Sequence, residues 1–365
     1  MFCQCEVAFM ATCCLASLLE KGFCMRVHRL FATATAFMLS YALAFCPIAF
    51  AEHAHQHVSS EAYTNAKSAA NFPNGGDILI IVPKKAGGGT DIAARGLAKL
   101  MSEDLGVKIH VENEPCHSGL VATKAIANAT PNGYTMGMIT VDLALYTHQD
   151  KITIAVDAFT PIITPISAPA ALLVHSAAPY DTLEEFVEYV RNHPGTILMG
   201  NSGVGAIWHV ATLAFEKEFG VRVKHIPFSK GSSDIAAAIA GKQINATLAD
   251  PSAFKEQIDN GSLKILAIMS NERSRLFPDV PTFKELGHNL VIGAWATLVV
   301  PKGTPEKVVN ILRTSARRIS STSTYDEYFL SNYIQPKYII GDEAENLMRD
   351  DNYRFAIILK NLLKR

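Results

Sequence analysis

Residues 78–82 read Ile78-Leu79-Ile80-Ile81-Val82, an unbroken apolar run of strand length. Such a run, with no polar alternation, is buried on both faces, which confines it to the interior of a sheet covered by helices. It leads into Pro83-Lys84-Lys85-Ala86-Gly87-Gly88-Gly89-Thr90-Asp91 and then a helical pattern in which Ala93, Leu97, Leu100, Met101 and Leu105 share one face. Gly89 or Thr90 is the expected cap. A glycine-rich turn at a helix start leaves backbone N–H groups aimed outward, and the macrodipole favours an anion there. Lys84 and Lys85 stand at its mouth, and Lys84 is the one expected to contact or steer an anion.

The strand, turn and helix series continues. Strands are expected at 108–111 and 134–139 with a helix at 120–128 between them. A proline-punctuated crossing at 161–169 precedes a strand at 171–175, a helix at 182–192 and a strand at 197–199. A second glycine-rich turn, Gly200-Asn201-Ser202-Gly203-Val204-Gly205, opens a helix at 206–219. Strands at 223–226, 244–248 and 264–269 alternate with helices at 233–240 and 251–260. A strand at 291–300 returns the chain to its first half, followed by a helix capped by Thr304 with Pro305 in its first turn. The closing helix, 342–363, keeps Phe355, Ile358, Leu359 and Leu362 on one docking face. This alternation predicts an α/β chain of two hinged lobes, each a mostly parallel sheet flanked by helices. Lobe 1 takes residues 77–169 and 291–365, lobe 2 residues 170–290.

Upstream, Met25-Arg26-Val27-His28-Arg29, an apolar stretch over 30–50 and Ala49-Phe50-Ala51 form the three parts of a secretory signal peptide, with cleavage expected after Ala51. Pro47 argues against a lasting membrane anchor, and Met25 offers an alternative start to Met1. Residues 1–51 are thus an upstream extension and signal, and 52–76 a polar linker. Export agrees with the cysteines: six of the seven precede the expected cut, leaving Cys116. With a net charge of −1 and no long basic run, nucleic acid is not an expected partner.

Other chemistries fit these residues less well. A nucleotide loop fits poorly, because the first glycine turn lacks G-x-G-x-x-G and no lysine follows it. Ser202 on a strand-to-helix turn resembles a hydrolase nucleophile, yet Val204 stands where G-x-S-x-G needs glycine, and no acid is placed to orient His209 as its base. An exported serine hydrolase using Ser202 is the alternative function. His53, His55 and His57 alternate as metal ligands do, but no fourth ligand is near in sequence, and no metal or cofactor is expected. Asp250, at a strand end before Pro251, repels an acid unless the solute also carries an amine or hydroxyl; as a cap it needs no such partner. Thr140 ends a strand and faces the expected cleft, while Trp208 and Trp295 are expected to pack.

Taken together, several short motifs resemble the Bug-type extracytoplasmic receptors of tripartite tricarboxylate transporters. They are Val82-Pro83, Ala86-Gly87-Gly88 and Thr90-Asp91; Glu112-Asn113 with Pro115 and Gly119; Pro131-Asn132-Gly133-Tyr134-Thr135; Gly200, Ser202-Gly203-Val204-Gly205 and His209; and Pro278-Asp279-Val280-Pro281-Thr282 with Pro301 and Gly303-Thr304-Pro305. The resemblance spans nearly all of residues 77–363. It implies a type II periplasmic-binding-protein fold, no catalysis, and delivery of a solute to two membrane subunits by a monomeric periplasmic protein. The solutes it implies are mostly small carboxylates, with di- and tricarboxylates, amino-acid-like acids and aromatic acids among them. It implies two carboxylate-holding loops, here Lys84, Ala86, Gly87, Gly88, Gly89, Thr90 and Asp91 on one side and Asn201, Ser202, Gly203, Val204, Gly205 and Ala206 on the other. Thr140, His209 and Asp250 complete the candidate ligand-binding set. Lys84-Lys85 replaces the Phe-Pro usual in the family, and Ala206-Ile207-Trp208 replaces Ser-Pro-Gly.

Overall fold

The computed structural model describes residues 72–363. The expected signal peptide, most of the linker, and His53, His55 and His57 lie outside the described residues. Eleven strands are present among these residues: β1 (Ile78–Val82), β2 (Ile109–Asn113), β3 (Thr135–Thr140), β4 (Phe159–Pro169), β5 (Ala171–His175), β6 (Leu198–Asn201), β7 (Lys224–Pro227), β8 (Ala246–Ala249), β9 (Leu263–Ile268), β10 (Gly293–Pro301) and β11 (Pro336–Ile340). The helices are α1 (Gly89–Leu105), α2 (Leu120–Ala127), α3 (Asp142–Tyr146), α4 (Leu183–Asn192), α5 (Ile207–Phe219), α6 (Ser232–Ala240), α7 (Lys255–Asp259), α8 (Glu306–Ser320), α9 (Ser323–Ser331) and α10 (Asp342–Leu363).

The strands form two sheets, ordered β11-β4-β10-β3-β1-β2 and β7-β6-β8-β5-β9. β1 lies between β3 and β2, parallel to both, and all five of its residues are buried, as an uninterrupted apolar run requires. The sheets are mixed rather than mostly parallel. Among the described residues β10 runs antiparallel to β3 and β4, β11 to β4, and β5 to β8 and β9. The strands that carry the chain between the sheets enter against the direction set by the strand–helix–strand units.

The proline-rich crossing is part of the larger sheet. β4 is an eleven-residue strand that pairs with β10 through two register shifts. Ile166 faces Ala296 and Ile163 faces Leu298, so Thr164 and Pro165 share the extra residue of a bulge, where a missing proline N–H breaks no ladder bond. Thr164 and Thr297 join their hydroxyls at 2.6 Å inside it. The chain leaves this sheet from β4 into β5 and returns from β9 into β10.

α1 lays Ala93, Ala94, Leu97, Leu100 and Met101 on the first sheet, each large side chain contributing about 1.5–3 kcal/mol by burial. Its cap is Gly88, extended and with no side-chain hydrogen bond, rather than Gly89 or Thr90. Gly106, in the left-handed region at φ 66°, ends it by donating its N–H to Ser102 O. Thr304 likewise does not cap the next predicted helix: its hydroxyl turns back to Pro301 O, and α8 begins at Glu306 after Pro305. α10 buries Phe355 and Leu359, and Lys217 of α5 donates to its Asn361 O, so the closing helix touches elements of both sheets. No described helix is long and apolar enough to cross a membrane.

Candidate functional site

The loops after β1, β3 and β6 and the loop before α6 converge on a cavity of about 60 Å³ between the two sheets. From the first sheet's side it is lined by Lys84, the α1 start at Gly88, Gly89 and Thr90, the β3 end at Thr140, Val141 and Asp142, Ile166 of β4, and Ala294, Trp295 and Ala296 of β10. The second side supplies Ser202, Ile207 and Trp208 around the α5 start, Gly231 and Ser232 at the α6 start, and Asp250 after β8. The walls are mainly apolar, with a few polar groups directed inward, the common make-up of a small-molecule site.

Charge in the site is tightly arranged. Lys84 Nζ lies 2.6 Å from Asp142 Oδ2, with both side chains nearly buried. The other oxygen, Asp142 Oδ1, accepts from the Ile207 N–H at 2.9 Å. A carboxylate from the first side therefore occupies the helix start of the second, where the α5 dipole favours it. Asp250 is buried on the second side. Its oxygens accept from the Ser252 N–H at 3.1 Å and the Ser252 hydroxyl at 2.6 Å, and burial pushes its pKa up against those two bonds. A β-carbon built on Gly89 would come within 2.2 Å of Asp250 Oδ2, so this residue of α1 is glycine because a carboxylate from the opposite side passes over it.

Of the residues predicted from sequence, Lys84, Gly88, Gly89, Thr90, Thr140, Ser202 and Asp250 line the cavity. The others do not. Asp91 turns back into its own loop, accepting from Gly87 N–H at 2.9 Å and Asn113 Nδ2 at 2.8 Å and pairing with Arg95. Asn113 also donates to Lys84 O, so Asp91 and Asn113 hold the Ala86–Gly87 turn in shape. Asn201 is buried; its Oδ1 accepts from Gly203 N–H, and its Nδ2 has no partner among the described residues. Val204 is 66% exposed, Ala206 N–H goes to Gly203 O, and Gly205 O accepts from Gln149.

His209 accepts the Gly205 N–H on Nδ1 at 3.1 Å, and burial, followed by the charges of His225 and Lys151, lowers its pKa to about 4. That bond ties the imidazole to the loop, while the Ser202 hydroxyl accepts from the Trp208 N–H at 3.4 Å. No hydrogen bond joins Ser202 to His209 among the described residues. Asp142, Ile207 and Ser232 were missed from sequence, and both tryptophans line the cavity. Trp208 Nε1 donates to Ser232 and Trp295 Nε1 to Asp351, which fixes the two rings. A lone acid inside the apolar run Ile139-Thr140-Val141-Asp142-Leu143 was the signal available for Asp142.

The two sides are also joined around the cavity. Lys85 pairs with Asp234 at 2.5 Å and its N–H donates to Lys230 O, while Lys151 donates to Val204 O. Among the described residues no three side chains gather as metal ligands.

A protein-family model described as the tripartite tricarboxylate transporter family receptor matches residues 93–363. The chain belongs to this family. The match begins within α1, so Lys84-Lys85 precedes the matched range. Protein BugT of Bordetella pertussis is 27% identical over 288 residues, spanning 78% of this chain and 88% of that protein. A TctC solute-binding protein from Polaromonas superposes with a TM-score of 0.62 at 32% identity, covering 80% of this chain and all of that one. MatC from Rhodopseudomonas palustris, solved with bound malate, gives a TM-score of 0.70 at 25% identity over 78% of this chain and 98% of that one. This tripartite tricarboxylate transporter receptor is a solute-binding protein of the periplasmic-binding type and not an enzyme.

Proposed function

We propose that this receptor captures a small carboxylate in the cavity between its two sheets and presents it to the membrane subunits of a tripartite transporter. The observation that carries the reading is the convergence of both glycine-rich loops, one from each sheet, on a single cavity rimmed by cross-sheet hydrogen bonds. Malate bound to a protein of the same fold at 25% identity supports the solute class. The solute contacts we assign are Lys84, Gly88, Gly89, Thr90, Thr140, Ser202 and Asp250, with Asp142, Ser232, Trp208 and Trp295. Ala86, Gly87, Asp91, Asn201, Gly203, Val204, Gly205, Ala206 and His209 serve as the scaffold of the two loops.

Residues 77–169 with 291–365 and residues 170–290 act as lobes hinged where the chain passes between the sheets. A solute touching both lobes binds the closed form better than the open one, and only that difference shifts the population toward closure. The protein works as a monomer in the periplasm, released by cleavage after Ala51; intact-mass analysis of the exported protein should therefore give Glu52 as its first residue. The test of function is a thermal-shift screen of the exported form against carboxylates, amino acids and nucleotides. A cognate acid at a hundred times its Kd adds about 2.7 kcal/mol of stability. Stabilisation by nucleotides with every acid silent would overturn the reading.

A further inference from the structure

Most of the strong side-chain donors in the cavity are already engaged. Lys84 Nζ lies 2.6 Å from Asp142 Oδ2, and the same carboxylate accepts the Ile207 N–H at the α5 start at 2.9 Å. Both indoles are engaged too, Trp208 with Ser232 at 3.2 Å and Trp295 with Asp351 at 2.8 Å. The side-chain donors left in the lining are hydroxyls. A serine hydroxyl can donate or accept, according to what reaches its oxygen.

Two of these hydroxyls meet one residue. Trp208, 4% exposed, donates its backbone N–H to Ser202 Oγ at 3.4 Å and its indole N–H to Ser232 Oγ at 3.2 Å. Ser202 belongs to the second glycine-rich loop and Ser232 to the first turn of α6, and all three residues line the cavity. A hydroxyl whose oxygen accepts keeps its hydrogen free to donate, and accepting polarises the O–H so that it donates more strongly. Packing alone explains part of this, since a buried indole N–H needs an acceptor. It does not explain why the one residue reaches two hydroxyls of the same cavity, from two separate elements, each time at the oxygen.

We propose that Trp208 is a positioning residue for the solute: its two N–H groups occupy the oxygens of Ser202 and Ser232 and leave both hydroxyl hydrogens to donate to one anionic group in the cavity. An anion held in this way needs no release of Lys84 from Asp142. The proposal rests on the carboxylate-receptor reading above and deepens it by naming the donors and what orients them.

The test is a double-variant cycle read by isothermal titration of the exported protein. Malate, succinate, aspartate and benzoate are the probes, and the tightest is carried through Trp208→Phe, Ser232→Ala and the two combined. Ser232→Ala should weaken binding about tenfold or more, as loss of a hydrogen bond to a charged group does. Trp208→Phe keeps an aromatic ring and removes the indole N–H; it should weaken binding about threefold or more, but add nothing once the Ser232 hydroxyl is gone. Full affinity in either single variant would overturn the proposal and leave the receptor reading standing. So would an equal loss from Trp208→Phe with and without the Ser232 hydroxyl, which is what a packing role gives. Should Trp208→Phe fail to fold, the indole signal decides: in ¹⁵N-labelled protein the Trp208 Nε1–H resonance should move on adding the acid, and move less in Ser232→Ala. An equal movement in both would overturn the proposal. Silence of all four acids would remove the receptor reading itself.

Discussion

At the residue scale the site turns on Lys84. Its partner Asp142 is buried, so removing the cation alone leaves a carboxylate with only the Ile207 N–H to offset its desolvation. Lys84→Met should cost about 3 kcal/mol in urea unfolding, the low end for breaking a buried pair. The double variant Lys84→Met/Asp142→Asn should recover to within about 1 kcal/mol of the unmodified protein, because the amide oxygen still accepts the Ile207 N–H while no unpaired charge remains. Additive losses would mean that the two side chains are not coupled. In sequence, Lys84 stood out as a departure from its family, but its partner did not, since 58 residues separate them and no local pattern links a lysine after β1 to an acid after β3, its neighbour in the sheet.

At the element scale, the start of α1 is shaped by what passes over it. Gly89→Ala would push a methyl group to 2.2 Å from Asp250 Oδ2 and 2.7 Å from Ser252 Oγ, so closure is obstructed. Solute affinity should fall at least tenfold by titration, with little change in the urea midpoint. The added carbon of Gly88→Ala meets nothing nearer than Lys85 O at 3.9 Å, and the loss there should be smaller.

The strand-turn-helix units were legible in sequence because apolar runs, glycine turns and helical periodicity are local signals. The antiparallel entry of β10 and β11 was not legible, because strand direction is set by long-range pairing. β4 was hidden for a different reason. Pro161, Pro165 and Pro169 read as punctuation, whereas register shifts beside Pro161 and at Pro165, and the strand end at Pro169, let the strand carry them. The glycine loops of the site were legible for the same local reason; of the two cross-sheet carboxylates, Asp250 was in the predicted set and Asp142 was not.

At the scale of the whole molecule, the two sheets meet through reciprocal contacts: Asp142 of one side on the α5 start of the other, and Asp250 of the other over the α1 start of the first. Each helix start that the sequence offers to a solute anion is thus approached by an aspartate of the facing side. Binding then depends on charge balance across the cavity as much as on the helix dipoles. The exposed Lys85–Asp234 link at the rim is worth only about 0.2–1 kcal/mol, so closure rests on the buried contacts and the solute. The most direct measurement is a co-crystal structure of the exported protein with its most stabilising acid. We expect the acid in the cavity bounded by Lys84, Ser202 and Asp250, in contact with residues from both sheets. An acid bound elsewhere, or touching one side alone, would contradict the account.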